Sequence, residues 1–322
     1  IWRSLVGSEM CIRDRTITVD GDELVYDFDG TDPQVASSMN NPLGSTRSAV
    51  VTAVRSMMGG DVPRNGGAWR PVTLNVPDGS LLNPQFPAPV ASRGGTAQRL
   101  SDVLLGCQCQ IRPERMLACS SGVDTLLNIA GTDANGDRFI LTECCWGGWG
   151  GRNTCDGIEF ITPPRHNNSN TPIEISEQMY PAILYNCHEF VSDTEGAGKF
   201  RGAVALRREW IYQGVKDGIL QLRVDRRTSG PYGILGGESG TPLIATINPN
   251  KEEMVDIGKT TITIHPGDIL RIQVAGAGGW GLACDRDPSA VRKDIINQFV
   301  TAKRAKEVYG VVLGQDGNSV DD

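Results

Sequence analysis

The chain reads as an α+β protein: a β-rich multi-sheet core, glycine-rich loops and a short helical C-terminal tail. Three observations predict this. Apolar and polar residues alternate at period two in many short segments between Thr16 and Val274. Glycines cluster at Gly147-Gly148-Trp149-Gly150-Gly151, at Gly233 to Gly237 and at Gly276-Ala277-Gly278-Gly279-Trp280-Gly281. Such clusters mark backbone that takes positive φ or lies close against another surface. Beyond Asp287-Pro288 the apolar spacing becomes helical.

Thr16 to Val19 and Glu23 to Tyr26 flank Asp20-Gly21, a hairpin signal. Val50, Val54 and Met57 predict a helix from Thr46 to Met58, stopped by Gly59-Gly60. Arg70 to Val76 reads as a strand, closed by a turn at Pro77-Asp78-Gly79. Leu100, Val103 and Leu104 predict a second short helix within Ala97 to Leu105. Asn135-Gly136 joins strands at Thr125 to Ile129 and Arg138 to Leu141. Five more strands follow: Ala203 to Trp210, Gly218 to Val224, Leu243 to Ile247, Thr260 to Ile264 and Ile269 to Val274. In the tail, Asp287 is an N-cap before Pro288, and Val291, Ile295 and Ile296 form a buried stripe. A last helix runs from Thr301 to near Tyr309-Gly310.

Residues 1–15 stand outside this pattern. They lack an initial Met and signal-peptide architecture, and they resemble translated vector read-through, so the natural chain is expected to continue upstream. The expected organisation is a foreign leader (1–15), a first β-rich lobe with two short helices (16–165), a second β-rich lobe (166–285) and the helical tail (286–322). The boundary is set where turn residues gather from Pro163-Pro164 to Asn170.

A length of 322 residues, 39% of them apolar, supports one large core or two moderate ones. The net charge of −7 leaves no basic face for nucleic acid. No apolar run approaches the roughly 18 residues needed to span a bilayer. A soluble cytoplasmic protein is expected. Nine cysteines without a Cys-x-x-Cys pair read as mostly buried, reduced thiols; Cys144 or Cys145 is the alternative as a thiol near a site. The histidines His166, His188 and His265 have no metal-ligand spacing, and no metal site is expected in this chain.

Glu143 and Asp156 flank the Gly147 cluster and are candidates for acid and base, or for carboxylates that cap loops. His166, in an Asn-rich loop, is the histidine considered for function. Arg93 leads into a helix from a glycine-rich turn, where it clamps a carboxylate or phosphate or pairs with Asp102. Asn153 is a candidate oxyanion donor or an ordinary turn residue. Trp149, with Trp146 and Trp280, either lines a pocket for a flat ring or covers glycine backbone. Asp225-Arg226-Arg227 reads as a solvated rim or internal ion pairs, with subunit docking as the alternative. The Gly233, Gly236, Gly237 spacing follows Pro-Tyr rather than opening a helix, so nucleotide binding by this chain is discounted.

Six segments in series carry a family resemblance. They are Tyr26-Asp27-Phe28-Asp29-Gly30-Thr31-Asp32-Pro33-Gln34, then Val90-Ala91-Ser92-Arg93-Gly94-Gly95-Thr96 with Arg99 and Asp102, then Asn170-Thr171-Pro172-Ile173-Glu174. Gly196-Ala197-Gly198-Lys199-Phe200-Arg201-Gly202, the segment from Gly267-Asp268 to Gly279-Trp280-Gly281, and Tyr309-Gly310-Val311-Val312 complete the series. In this order they resemble the C-terminal region of hydantoinase B/5-oxoprolinase-type proteins.

The resemblance implies chemistry divided between two kinds of subunit. An A-type ATPase partner activates the substrate with ATP, and the B-type subunit handles the activated cyclic amide. It also implies a hetero-oligomer, a small-molecule substrate, and a possible divalent metal held by an N-terminal half that precedes this region. Ketone carboxylase subunits are related in the same way and form the alternative. A third reading makes this region a scaffold, with the chemistry elsewhere in the complex.

Overall fold

The computed structural model describes residues 2–3, 16–58, 60, 62–63, 65–122, 125–166, 168–314 and 320–321. Of residues 1–15, read above as a leader, all but Trp2-Arg3 lie outside the described residues. The chain divides into two compact units, Ile1–Leu117 and Ala118–Asp322, so the turn-rich stretch at Pro163-Pro164 falls inside the second.

The first unit holds β1 (Trp2–Arg3), β2 (Thr16–Asp20), β3 (Glu23–Asp27), α1 (Leu43–Met57), β4 (Val72–Asn75) and α2 (Arg93–Gln108). Its sheet runs β1-β2-β3-β4. The β2–β3 hairpin has Asp20 opposite Glu23, with Gly21 at φ +59° as the first loop residue. The pairing of β3 with β4 is parallel, and α1 belongs to the crossover that such a pairing needs. Ala49, Val50, Ala53 and Val54 form the buried stripe of α1, which packs on α2. Helix α2 is buried almost all round, including its polar residues. There Asp102 takes hydrogen bonds from Arg99 (3.2 Å) and Gln98 (3.0 Å), and Gln108 donates to the Tyr26 hydroxyl on β3 (2.9 Å). Burial lifts that phenol to about 12, so it stays protonated.

The second unit contains β5 (Thr125–Thr132), β6 (Arg138–Cys145), α3 (Ile173–Met179), β7 (Ile183–Val191), β8 (Ala205–Tyr212) and β9 (Gly218–Arg223). It continues with β10 (Ile244–Ile247), β11 (Val255–Asp256), β12 (Thr260–Ile264), β13 (Ile269–Gln273), α4 (Pro288–Ile296) and α5 (Ala302–Tyr309). The short ribbon β14 (Val312–Leu313) and β15 (Val320–Asp321) ends it. Two antiparallel sheets dominate, ordered β11-β10-β13-β8-β7 and β12-β9-β5-β6. Alternate residues of both sheets fill one shared core: Leu127, Ile129, Leu220 and Leu222 from one, Leu206, Trp210, Leu270 and Ile272 from the other. Each such side chain contributes about 1.5–3 kcal/mol on burial. The fold is therefore α+β with a β-rich core.

In the tail, Asp287 caps α4 by accepting from the Ser289 N–H (2.8 Å), and Gly310 closes α5 at φ +71°. Val291 is fully buried and Ile295 packs beside it. Ile296 departs from the predicted stripe, being 57% exposed. The inward position one turn on from Val291 belongs to Asp294, whose charge is met by arginines, and the helix ends at Ile296. Helix α3 and strand β7 are not apparent from the pattern. α3 starts directly after Pro172, just beyond the turn-rich stretch that ends at Asn170, and a bulge between Tyr185 and Cys187 breaks the alternation of β7.

Candidate functional site

Where the strands of the second unit stop, glycine-rich segments cross over one another. Gly151 N–H donates to Gly278 O (2.9 Å), Gly278 N–H to Cys119 O (2.8 Å), Gly196 N–H to Ala277 O (2.7 Å) and Gly279 N–H to Glu238 O (2.9 Å). Backbone lies directly on backbone. A Cβ on Gly276, Gly278 or Gly279 would sit 1.8–2.0 Å from the carbonyl oxygen of Thr194, Tyr232 or Ala197. These glycines are required by close approach, not by an unusual φ. The outcome is a platform of fixed amides. Trp280 pairs with Phe200 across it, and its ring lies 6.0 Å from the Phe200 ring.

One loop of the platform, 147–157, carries three of the predicted residues. Trp149 is half-buried and donates its indole N–H to Thr162 O (2.6 Å). Arg152 lies over that indole, 5.5 Å from the ring centre, and Asn153 stands exposed at the tip. Asp156 closes the loop. Both its oxygens are held by Arg286, at 2.6 and 2.8 Å, and Oδ1 also accepts the Arg201 N–H (3.0 Å). Burial pushes the Asp156 carboxyl up, but Arg286 and then Arg201 outweigh it and hold the group below the usual carboxylate value.

Glu143 lies apart from this, on the inward face of β6. It is 2% exposed and paired with the buried Arg208 of β8, across the two sheets. Its Oε2 accepts from the Tyr185 hydroxyl (2.6 Å) and from Trp210 Nε1 (3.1 Å). Glu143 and Asp156 thus sit in separate arginine-centred networks and share no contact. His166 packs against the buried Trp146, ring centres 4.9 Å apart, and the Asn170 side chain accepts the Trp146 N–H (3.0 Å).

Arg93, in the first unit, occupies the first position of α2 with its side chain exposed; Asp102 is taken by Arg99 and Gln98. The Asp225-Arg226-Arg227 run is paired rather than a free rim. Asp225 meets Lys259 (2.8 Å), Arg226 reaches the Cys119 sulfur (2.9 Å) and Arg227 binds Asp256. The described cysteines are free thiols; Cys107, Cys119 and Cys145 are buried, Cys284 is exposed, and the others lie between. His265 sits in a surface turn against Asp217 (2.8 Å).

Pattern reading missed the arginines that organise the site: Arg201, Arg208 and Arg286. Arg208 did leave a signal. It shares the parity of Leu206, Trp210 and Tyr212 on β8, so a charge occupies an inward position and requires a buried counter-ion. Among the described residues no group of three or more His, Cys, Asp or Glu is placed to hold a metal ion. No helix among them is long and apolar enough to cross a membrane. A void between the sheets, of about 10 Å³ and lined by Ile129, Trp210, Leu220 and Leu270, holds at most one water-sized body.

The fold and these networks define a β-rich protein whose exposed polar loop is carried on interlocked backbone. That class has a family. The chain belongs to the hydantoinase B/oxoprolinase family, whose model matches residues 9–283. It is 30% identical to the B-type subunit of a putative D-/L-hydantoinase from Pseudomonas sp., over 95% of this chain and 52% of that protein. It is 33% identical to 5-oxoprolinase 1 of Arabidopsis thaliana, over 83% of this chain and 20% of that one. Among solved structures, the ATP-dependent caprolactamase from Pseudomonas jessenii matches with a TM-score of 0.82 and 24% identity, over 94% of this chain and 54% of that one. A nucleotide-free acetone carboxylase matches at 0.79 and 18% identity, over 96% and 46%. Both likenesses establish the fold. The chain spans about half the length of the hydantoinase polypeptide it matches.

Proposed function

We propose that this chain forms part of the B-type subunit of an ATP-dependent cyclic-amide hydrolase of the hydantoinase/5-oxoprolinase kind, acting in the cytoplasm with an A-type ATPase subunit. The observation that carries the reading is the similarity to the B-type polypeptide of a putative hydantoinase along 95% of this chain. An unactivated amide is a poor electrophile at neutral pH. Phosphorylation of its oxygen at the expense of ATP supplies a leaving group and lowers a barrier that side chains alone leave high. Nothing in the glycine spacing of this chain argues for a nucleotide site, so ATP is assigned to the partner.

In this proposal the chain's own contribution is to bind and orient. In the second unit the Asn153 amide donates to a carbonyl oxygen and the Trp149 face left open by Arg152 supports a flat ring; in the first unit, taken by itself, the exposed Arg93 guanidinium donates to a carboxylate or phosphate oxygen. His166 is the proposed proton carrier. Glu143 and Asp156 act through the arginines they hold, as positioning residues. The test is an ATPase assay on the purified complex with hydantoins, 5-oxoproline, and ketones plus bicarbonate. Stimulation by a cyclic amide supports the proposal. Stimulation by ketones with bicarbonate alone replaces it with the carboxylase reading, and a complex active without this chain leaves only a scaffold role.

A further inference from the structure

Five buried or part-buried charges meet between the 156–160 segment, the Gly196–Gly202 segment and helix α4. Arg201 binds Glu159 through a terminal nitrogen (2.5 Å) and Asp294 through Nε (3.0 Å). Arg286 binds Asp294 (2.7 Å) and both oxygens of Asp156. The Phe299 ring closes one side of Arg201, 4.7 Å from its guanidinium carbon. Three carboxylates therefore face two guanidiniums. One negative charge is unmatched.

Donors decide which carboxylate carries the imbalance. Asp156 has two guanidinium contacts and a backbone N–H, and Asp294 has two different guanidiniums. Glu159 has a single guanidinium contact and the Val204 N–H (2.9 Å), and Asp294 repels it. We infer that Glu159 is a proton-operated clasp: protonated, it leaves the network neutral and α4 held against the platform; ionised, it loosens that attachment. Burial lifts the Glu159 carboxyl to about 7, in keeping with this.

The sign follows from linkage. A group whose folded-state value lies above its unfolded value of 4.5 adds stability that is complete below 4.5 and is lost as the pH rises through about 7. Other groups on the tail must be separated from it. Glu195, held by Arg304 and the Tyr309 hydroxyl, is also raised by burial, and Glu195→Gln serves as the control.

The experiment is thermal unfolding of the full chain between about pH 5 and pH 8, with amide exchange of α4 corrected for its intrinsic pH dependence. The wild type loses several degrees of Tm across this range, and α4 exchange accelerates. Glu159→Gln flattens both profiles and melts above the wild type at the alkaline end. Asp294→Asn, which also leaves two carboxylates against two guanidiniums and removes the repulsion on Glu159 but not its burial, reduces both slopes in part and substitutes if the first variant does not fold. Glu195→Gln, which removes a second burial-raised carboxyl, lowers the Tm slope less than Glu159→Gln does and leaves the α4 exchange profile as in the wild type. An unchanged slope in a folded Glu159→Gln or Asp294→Asn protein overturns the inference, as does flattening by Glu195→Gln alone.

Discussion

Arg286 grips both carboxylate oxygens of Asp156 from 130 residues further along the chain, at 2.6 and 2.8 Å. This two-point pair ties the loop that displays Asn153 to the start of the helical tail. Two parallel N–H···O bonds fix orientation as well as distance, which a single lysine contact does not. Loop and tail are thereby expected to respond to the same substitutions.

Asp156→Asn breaks the two-point ion pair with Arg286, which keeps only Asp294 as a carboxylate partner, and takes the charged partner from the Arg201 N–H. The expected loss is roughly 2–3 kcal/mol, measured by urea unfolding. The acid limb carries a second signature. The folded-state carboxyl lies below its ordinary value of 3.8, so its contribution is present above that value and disappears as the pH falls through the lower, folded one. Wild-type and variant melting temperatures should converge in strong acid; parallel curves there would refute the ion-pair account.

Glu143→Leu and Arg208→Leu each strand a charge between the sheets and should each cost about 3–5 kcal/mol. The double variant should be less damaged than the sum of the two, because no buried charge is left without a partner. A denaturant-based double-mutant cycle measures the coupling. Additive losses would show that the residues act independently.

Gly278→Ala places a methyl group 2.0 Å from Tyr232 O, where neither backbone can yield cheaply. The expected destabilisation is about 3 kcal/mol or more. Gly44→Ala, with nothing within 4 Å in α1, should instead be neutral or stabilising by about 0.5–1 kcal/mol. Thermal melts of the two variants side by side check the contrast.

Asn153→Ala and Arg93→Ala alter exposed side chains and should leave Tm within about 1 °C, in line with surface changes of under roughly 0.5 kcal/mol. In the assembled complex each should weaken substrate handling by about 3- to 10-fold, the worth of one hydrogen bond. Unchanged kcat/KM in either variant would remove that residue from substrate binding.

Strands were legible where alternation and turn chemistry agreed. Thr260–Ile264 lies as the pattern predicts, and Asn135-Gly136 does turn β5 into β6, with Gly136 at φ +89°. The caps Asp287 and Gly310 were also readable, because local side-chain chemistry determines them. Strand β7 was hidden by its bulge, and Ile296 was misplaced because Asp294 could enter the core only with partners distant in sequence. The same reason limits the site. Glu143 and Asp156 stand out as residues worth naming, whereas Arg208 and Arg286, which determine what those carboxylates do, are separated from them by 65 and 130 positions.

The crossing glycine segments also bear on calorimetry. Where amide packs on amide, melting exposes dipoles rather than hydrocarbon, and hydration of polar surface lowers the heat-capacity increment instead of raising it. The chain should therefore unfold with an increment per residue below the usual ~12–15 cal/mol/K, giving a shallow free-energy curve that changes little between cold and warm growth temperatures.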